Sequence, residues 1–355
     1  MPLKTGTLDI SSLYDVQNQQ IAQVGEDRIA EILNAELDVH NEIVNDLMSE
    51  LCTITTERLY RYGVGDAGEM VEVDEYGRAP TQKPAAGATV GAPLRMFQHA
   101  VGWTRKYMQR RTVNDVLQTF AAAQKAHLKR LGREIKNAIF GATNYTFQDF
   151  LVDKVDLNVK RFLNADSSAI PEGPNGEVFD GTTHTHYDAI AALDAPSLKA
   201  TVRDVVEHGH GEGVRIIISQ ADESAVRALT GFKEYLDARI IRGGGATTDV
   251  AQGNLDNSRL DNRAIGIFEG AEVWTKPWGI EDYAFVYAAG DARKPLTMRV
   301  SDIAGTTGLR IAADIDTFPL RAQYMEAELG VAVRERTNGA VLYFAGGAYV
   351  VPTIS

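Results

Sequence analysis

The sequence predicts an α+β fold in which long helices and strand-rich segments alternate along 355 residues. Three observations carry this reading. An amphipathic stripe runs through residues 26–51, a longer one runs through 112–140, and strand patterns interrupted by Gly and Pro fill residues 52–104 between them. The remaining chain, from 145 to 355, reads as mixed strands and short helices without an internal repeat.

Residues 1–25 lack a sustained period and are rich in Gly, Ser, Asn and Gln, which predicts an extended arm ordered by a neighbour. In the next segment Leu33, Leu37, His40, Val44, Leu47 and Leu51 recur at alternating four- and three-residue spacing. Ile29, Ile32 and Met48 widen that stripe into one face of a helix. The opposite face is acidic: Glu26, Asp27, Glu31, Glu36, Asp38, Glu42, Asp46 and Glu50 stand against Arg28 alone.

Within 52–104, ITTERLYRY (54–62), EMVEVDEY (69–76) and PLRMFQHAVGW (93–103) read as strands. They are too polar, and too often broken by Gly and Pro, to bury both faces. A long β-hairpin projecting from the body accounts for them. An isolated hairpin is marginal in water, so its supporting surface is expected on another molecule.

Residues 112–140 carry the strongest helical signal. Thr112 is a good N-cap, Asp115 sits in the first turn near the positive end of the helix dipole, and Gly141 is placed for a stop. Val113, Val116, Leu117, Phe120, Leu128, Leu131, Ile135, Ala138 and Ile139 form the stripe. At 1.5 Å per residue the helix spans about 43 Å, long enough to be a spine that other elements cross. Its neighbourhood is basic: Arg105, Lys106, Arg110, Arg111, Lys125, Lys129, Arg130, Arg133 and Lys136 outnumber Asp115 and Glu134.

Beyond the spine, 151–187 reads as short strands broken by a loop, 197–208 as a helix, 214–220 as a buried strand and 221–232 as a second helix. The stretch from Arg242 to Asn262 is polar and Gly-rich, as a mobile loop would be. Strands are expected over 265–278, 283–289 and 296–300. The chain closes with a short amphipathic turn and two strands, with Asn338-Gly339 marking a hairpin.

Composition narrows the function. The formal charge of −12 argues against a general nucleic-acid binder, which needs an excess of Lys and Arg to neutralise phosphates. The single cysteine, Cys52, excludes an internal disulfide framework. No apolar run is long enough to span a bilayer, and the first residues lack a secretory apolar core. A soluble product of a reducing compartment, with no membrane partner, is expected.

Candidate chemistry is sparse. His184-Thr185-His186 and His208-Gly209-His210 have a spacing that can place two ligands on one face of a strand, but their context reads as surface turns. Gly243-Gly244-Gly245 lacks the helix and Lys-Ser/Thr of a phosphate loop. Ser219 has no glycine elbow, Cys52 and His40 read as packed core groups, and His127 as a hydrogen-bonded edge residue. No catalytic, cofactor-binding or metal-ligating residue is assigned, and the chain is not read as an enzyme. The basic run can touch DNA phosphates, stand in solvent, or face the acidic helix in its own chain or a neighbour. The last reading is favoured, because the excesses of charge are complementary. It makes Arg110, Arg111, Lys129, Arg130, Glu36, Glu42 and Asp46, together with Lys83 in the hairpin, candidate inter-subunit contacts.

This order of parts resembles the major capsid proteins of tailed bacteriophages, the Hong Kong 97 fold. The local pieces that carry the resemblance are GVRIIISQADESAVRALTGF (213–232), AIGIFEGAEVWTKPWGIEDYAFVYAAGD (264–291) and the tail AQYMEAELGVAVRERTNGAVLYFAGGAYVVP. The resemblance implies an N-terminal arm and helix over 1–51 and an extended loop over 52–104 that lies on a neighbouring subunit. It implies a peripheral domain over 105–190 with the spine at 112–140, an axial domain over 191–310, and C-terminal strands over 311–355 returning to the periphery. It also implies pentamers and hexamers closing an icosahedral shell around packaged double-stranded DNA, in a virion assembled in the host bacterial cytoplasm. A separate scaffolding protein, a portal and decoration proteins are the implied partners. Some members form lysine–asparagine cross-links; Lys83 lies in the hairpin, but nothing in the sequence identifies a partner, and no bond is predicted. An encapsulin-type compartment enclosing enzymes shares the fold. A soluble α/β metal enzyme using His184 and His186 is the competing reading from another class.

Overall fold

The structure is a computed structural model, and it describes residues 19–62, 70–81, 88–235, 240–242, 249–251 and 262–354. Most of the expected arm, Lys83 and the triple-glycine loop lie outside the described residues.

Two long helices organise the first core. Helix α1 (Glu26–Ser49) buries Ile29, Ile32, Leu33, Leu37, His40, Val44 and Met48. Helix α2 (Val113–Phe140) is the expected spine. It opens with a capping box in which the Thr112 amide donates to the Asp115 carboxylate at 3.0 Å. It ends at Gly141, whose φ of −76° is not the left-handed stop that its position suggests. Close approach explains the glycine: a Cβ there would sit 2.7 Å from the Asn137 carbonyl oxygen. Two stripe assignments change. Leu47 and Leu128 are exposed, while Met48 and His127 are buried on the inner faces, because the true 3.6-residue period drifts off a strict heptad.

The first sheet assembles strands distant in sequence. Strand β1 (Cys52–Thr55) is a short member of it, whereas β2 (Leu59–Tyr62) pairs antiparallel with β3 (Ala88–Gly91) in a separate two-stranded sheet, so that Tyr62 stands opposite Ala88. Strand β4 (Arg95–Thr104) alternates half-buried and exposed residues along its whole length. Of the strand predicted at 69–76, residues 70–76 do not form one; residues 70–81 are exposed throughout with only a turn. Among the described residues the expected single hairpin over 52–104 is represented by the β2–β3 pair, while β1 and β4 pair with strands from the end of the chain.

Downstream come β5 (Tyr145–Gln148), β6 (Asp156–Val159), β7 (Tyr187–Ala189), helix α3 (Ala195–Val206), β8 (Val214–Ile218), β9 (Lys233–Glu234), β10 (Ile240–Arg242) and β11 (Asp249–Ala251). They are followed by β12 (Arg263–Phe268), β13 (Ala271–Thr275), β14 (Tyr283–Ala288), β15 (Leu296–Val300), β16 (Arg310–Thr317), β17 (Leu320–Val333) and β18 (Ala340–Tyr343). The helix expected over 221–232 is only one turn, Glu223–Arg227. Strand β17 replaces the predicted amphipathic turn. Its first half pairs with β16 and its second half with β15, and β4 runs along its other edge. Asn338-Gly339 does not close a hairpin, since β17 and β18 belong to different sheets.

The second sheet has the order β7-β18-β14-β8-β13-β12-β9. Its central strands are apolar on both faces because both are covered. Ile217, Phe285 and Tyr287 point into the core shared with α2, whereas Ile216, Ile218, Ala284 and Val286 point into a second core under α3.

Candidate assembly surfaces and a buried histidine cluster

The arm does not wait wholly for a neighbour. Its last residues are pinned to their own chain, with the Ile21 amide donating to Arg111 O at 3.1 Å and the Val113 amide to Gln19 O at 3.1 Å. Ile21 is buried there.

The charged candidates separate into two groups. Arg130 is engaged inside the subunit, bonded to Glu134 at 2.5 Å and stacked 4.2 Å above the Phe97 ring. Arg111 lies over Tyr107 and 3.8 Å from Asp115. Arg110 and Lys129 are exposed and take part in no ion pair among the described residues. Glu36 is half-buried, and Glu42 and Asp46 are exposed. Among the described residues no ion pair joins a carboxylate of α1 to a cation of α2. The end of α1 is tied elsewhere, since Glu50 takes Arg215 at 2.7 Å and Lys276 at 3.3 Å. Beside α1, Asp38, Glu42, Asp46 and Glu328 rim an open acidic groove of about 540 Å³ that reaches His127.

Two exposed apolar features accompany these charges. Val39, Ile43 and Leu47, spaced one turn apart on α1, are 54%, 52% and 61% exposed. Met70, Val71, Val73 and Tyr76 stand out of the 70–81 segment, Met70 wholly so.

The His-x-His pairs are not surface turns. His186, His208 and His210 are buried, and His184 is half-buried. The chain entering β7 brings His184 and His186 to the C-terminal end of α3, where His208 follows the helix. Gly209 then turns at φ +84°, which favours glycine. The three Nε2 atoms of His184, His186 and His208 lie 3.1–3.2 Å from one another. Burial lowers the pKa of all three rings, that of His208 to about 3, so they are neutral near pH 7. The Nδ1–H of His186 donates to Gly339 O at 2.8 Å, which leaves its Nε2 with a bare lone pair. Glu207 Oε1 lies 3.6 Å from His184 Nε2, and Phe179 covers His184 and His208. Sequence reading paired these histidines by spacing and missed the trio, because His208 lies 22 residues from His186.

The fourth histidine is separate. His210 binds Asp291 Oδ2 at 2.6 Å and Thr337 Oγ1 at 2.8 Å. Carboxylate, imidazole and hydroxyl are in line, but Thr337 is buried where no substrate reaches it, so the trio reads as a packing network. Cys52 is buried and burial pushes its thiol pKa up, the condition of an inert thiol. The Ser219 hydroxyl accepts from the Ala221 amide as a cap. His40 and His127 form a buried pair, Nε2 to Nδ1 at 3.0 Å.

No protein-family model matches the sequence, and no curated protein is a significant match to it. Solved structures are similar. One from Mycobacterium phage Patience covers 97% of this chain and 91% of its own, with a TM-score of 0.68 at 19% identity. The capsid of the native GTA particle covers 84% of this chain and 90% of its own, at TM-score 0.48 and 15% identity. The cyanophage A-1(L) capsid asymmetric unit covers 84% and 92%, at 0.48 and 14%. The fold is shared with the structure from Mycobacterium phage Patience, and it is the tailed-phage major capsid fold that the order of elements resembled.

Proposed function

We propose that this chain is the structural subunit of a closed shell, assembling with copies of itself into the pentamers and hexamers of an icosahedral capsid around double-stranded DNA. The observation that carries the reading is the 70–81 segment, which projects Met70, Val71, Val73 and Tyr76 into solvent without burying one of them on its own body. Apolar surface of this kind is stabilised only by removal from water, at about 25 cal/mol per Å². A neighbouring copy supplies that surface. The exposed stripe on α1 supports the same reading. Net charge of −12 suits a container that holds DNA without gripping it. A separate scaffolding protein guides closure, and a portal and decoration proteins complete the particle. The charged contacts proposed between subunits are those of Arg110 and Lys129 with Glu42 and Asp46; Lys83 lies outside the described residues.

Because Tyr62 and Ala88 face each other across β2–β3, residues 63–87 can be replaced by Asn-Gly, a sequence suited to a two-residue turn. With each chain expressed alongside the products of its neighbouring genes, which supply scaffolding, size-exclusion chromatography and negative-stain microscopy should find shells from the full chain and folded, unassembled subunits from the replacement. Normal shells from the replacement would contradict the proposal. Shells that purify with an enzyme instead of DNA would favour an encapsulin-type compartment.

A further inference from the structure

We propose that His184, His186 and His208 bind one zinc ion, in a structural site that ties the start of β7 to the end of α3. Each neutral imidazole Nε2 offers either one N–H or one lone pair. Three such atoms in mutual contact form a triangle, and every hydrogen bond needs one donor and one acceptor. At least one edge must therefore join two donors or two acceptors, and hydrogen bonding cannot satisfy the trio. A cation at the apex accepts all three lone pairs at once.

The dimensions agree. Nitrogens 3.1–3.2 Å apart lie about 1.8 Å from their common centre, so an ion about 1 Å off their plane is about 2.0–2.1 Å from each, the zinc–imidazole distance. His186 already has the outer partner that metal-bound histidines usually have, its Nδ1–H held by the Gly339 carbonyl. Neutral imidazole donors favour zinc and similar transition ions over magnesium or calcium, which prefer oxygen. The Glu207 carboxylate at the C-terminus of α3 lies beside the trio, with Oε1 3.6 Å from His184 Nε2, and adds negative charge near the ion. The Phe179 ring shields one side.

The consequence is mechanical. The histidines come from two chain segments, and the Gly339 contact adds a third, the turn joining the two sheets. An ion here clamps the loop before β7, the end of α3 and that turn into one unit. All ligands lie in one subunit, so the site is independent of assembly and survives failure of the shell reading.

The test uses the full, untagged chain. After exposure to buffered Zn²⁺ and removal of the free ion, elemental analysis should find about one zinc per chain, and a chelator should lower the thermal midpoint. Co²⁺ should give the visible absorption of a nitrogen-bound tetrahedral ion. The His184→Gln/His208→Gln double variant, shown folded by circular dichroism, should retain less than about a tenth of the zinc. Less than about a tenth of a zinc per folded wild-type chain, with no cobalt band, would overturn the proposal. So would undiminished zinc in the folded double variant. If that variant does not fold, the wild-type zinc and cobalt measurements decide alone.

Discussion

The Arg299 guanidinium on β15 donates to the Asp149 carboxylate at 3.0 Å, with both side chains out of solvent. The same nitrogen also donates to Ala92 O at 2.9 Å, so one buried cation joins the chain after β5, the approach to β4 and the first sheet. Removing one member of such a pair strands the other, at a cost of about 3–5 kcal/mol. Arg299→Met should lower subunit stability by that amount in urea unfolding. Adding Asp149→Leu should recover most of the loss. A single variant as stable as the parent would show that Asp149, with Arg58 at 3.8 Å, needs no second cation.

The His40–His127 pair predicts loss of stability in acid. Burial lowers both pKa values, and that of His127, with the His40 charge adding a smaller effect, falls to about 4. Unfolded histidine titrates near 6.5. Below that pH the unfolded chain binds protons that the folded one refuses. The pair's contribution is full above about 6.5 and declines as pH falls toward 4, by about 1.4 kcal/mol per pH unit for one ring. In a His40→Leu/His127→Leu variant the stability change between pH 7 and pH 5 should shrink by about 1–2 kcal/mol. Identical pH profiles would rule this origin out.

Val39→Ser, Ile43→Ser and Leu47→Ser together should leave the subunit nearly as stable, since all three side chains face water and exposed changes usually stay within about 0.5 kcal/mol each. Shell yield should drop at least several-fold. Full yield with the triple variant would mean that this stripe lies outside the subunit contact.

Arg110→Glu with Lys129→Glu should reduce shell yield and make what remains more sensitive to salt. Exposed pairs contribute only about 0–1 kcal/mol each, but a closed shell repeats them in every subunit. Compensating Glu42→Lys and Asp46→Lys should restore yield if these are the facing charges. Yield unchanged at both low and high salt would leave the run as a solvated surface.

Much of the fold was legible because periodicity reports burial. The 3.6-residue stripes placed α1 and the spine, and Thr112 with Asp115 marked the start of the latter to the residue. Runs such as VRIII declared a strand covered on both faces. Errors came where local pattern competes with partners far along the chain. LRAQYMEAELGVAV reads as amphipathic in isolation, yet becomes a strand because β4, β15 and β16 hydrogen-bond to its two edges. EMVEVDEY has strand composition, but its residues 70–76 pair with no strand among the described residues and remain irregular.

The sequence by itself determined the α+β class and the two amphipathic helices, because these depend on which residues avoid water. Only the tertiary structure decided where histidines and charges meet. His184, His186 and His208 converge, Arg130 turns inward to Glu134 and Phe97, and Glu50 anchors α1 to the second sheet. Electrostatic and coordination chemistry act over a few ångströms of space, and distance along the chain carries no measure of that.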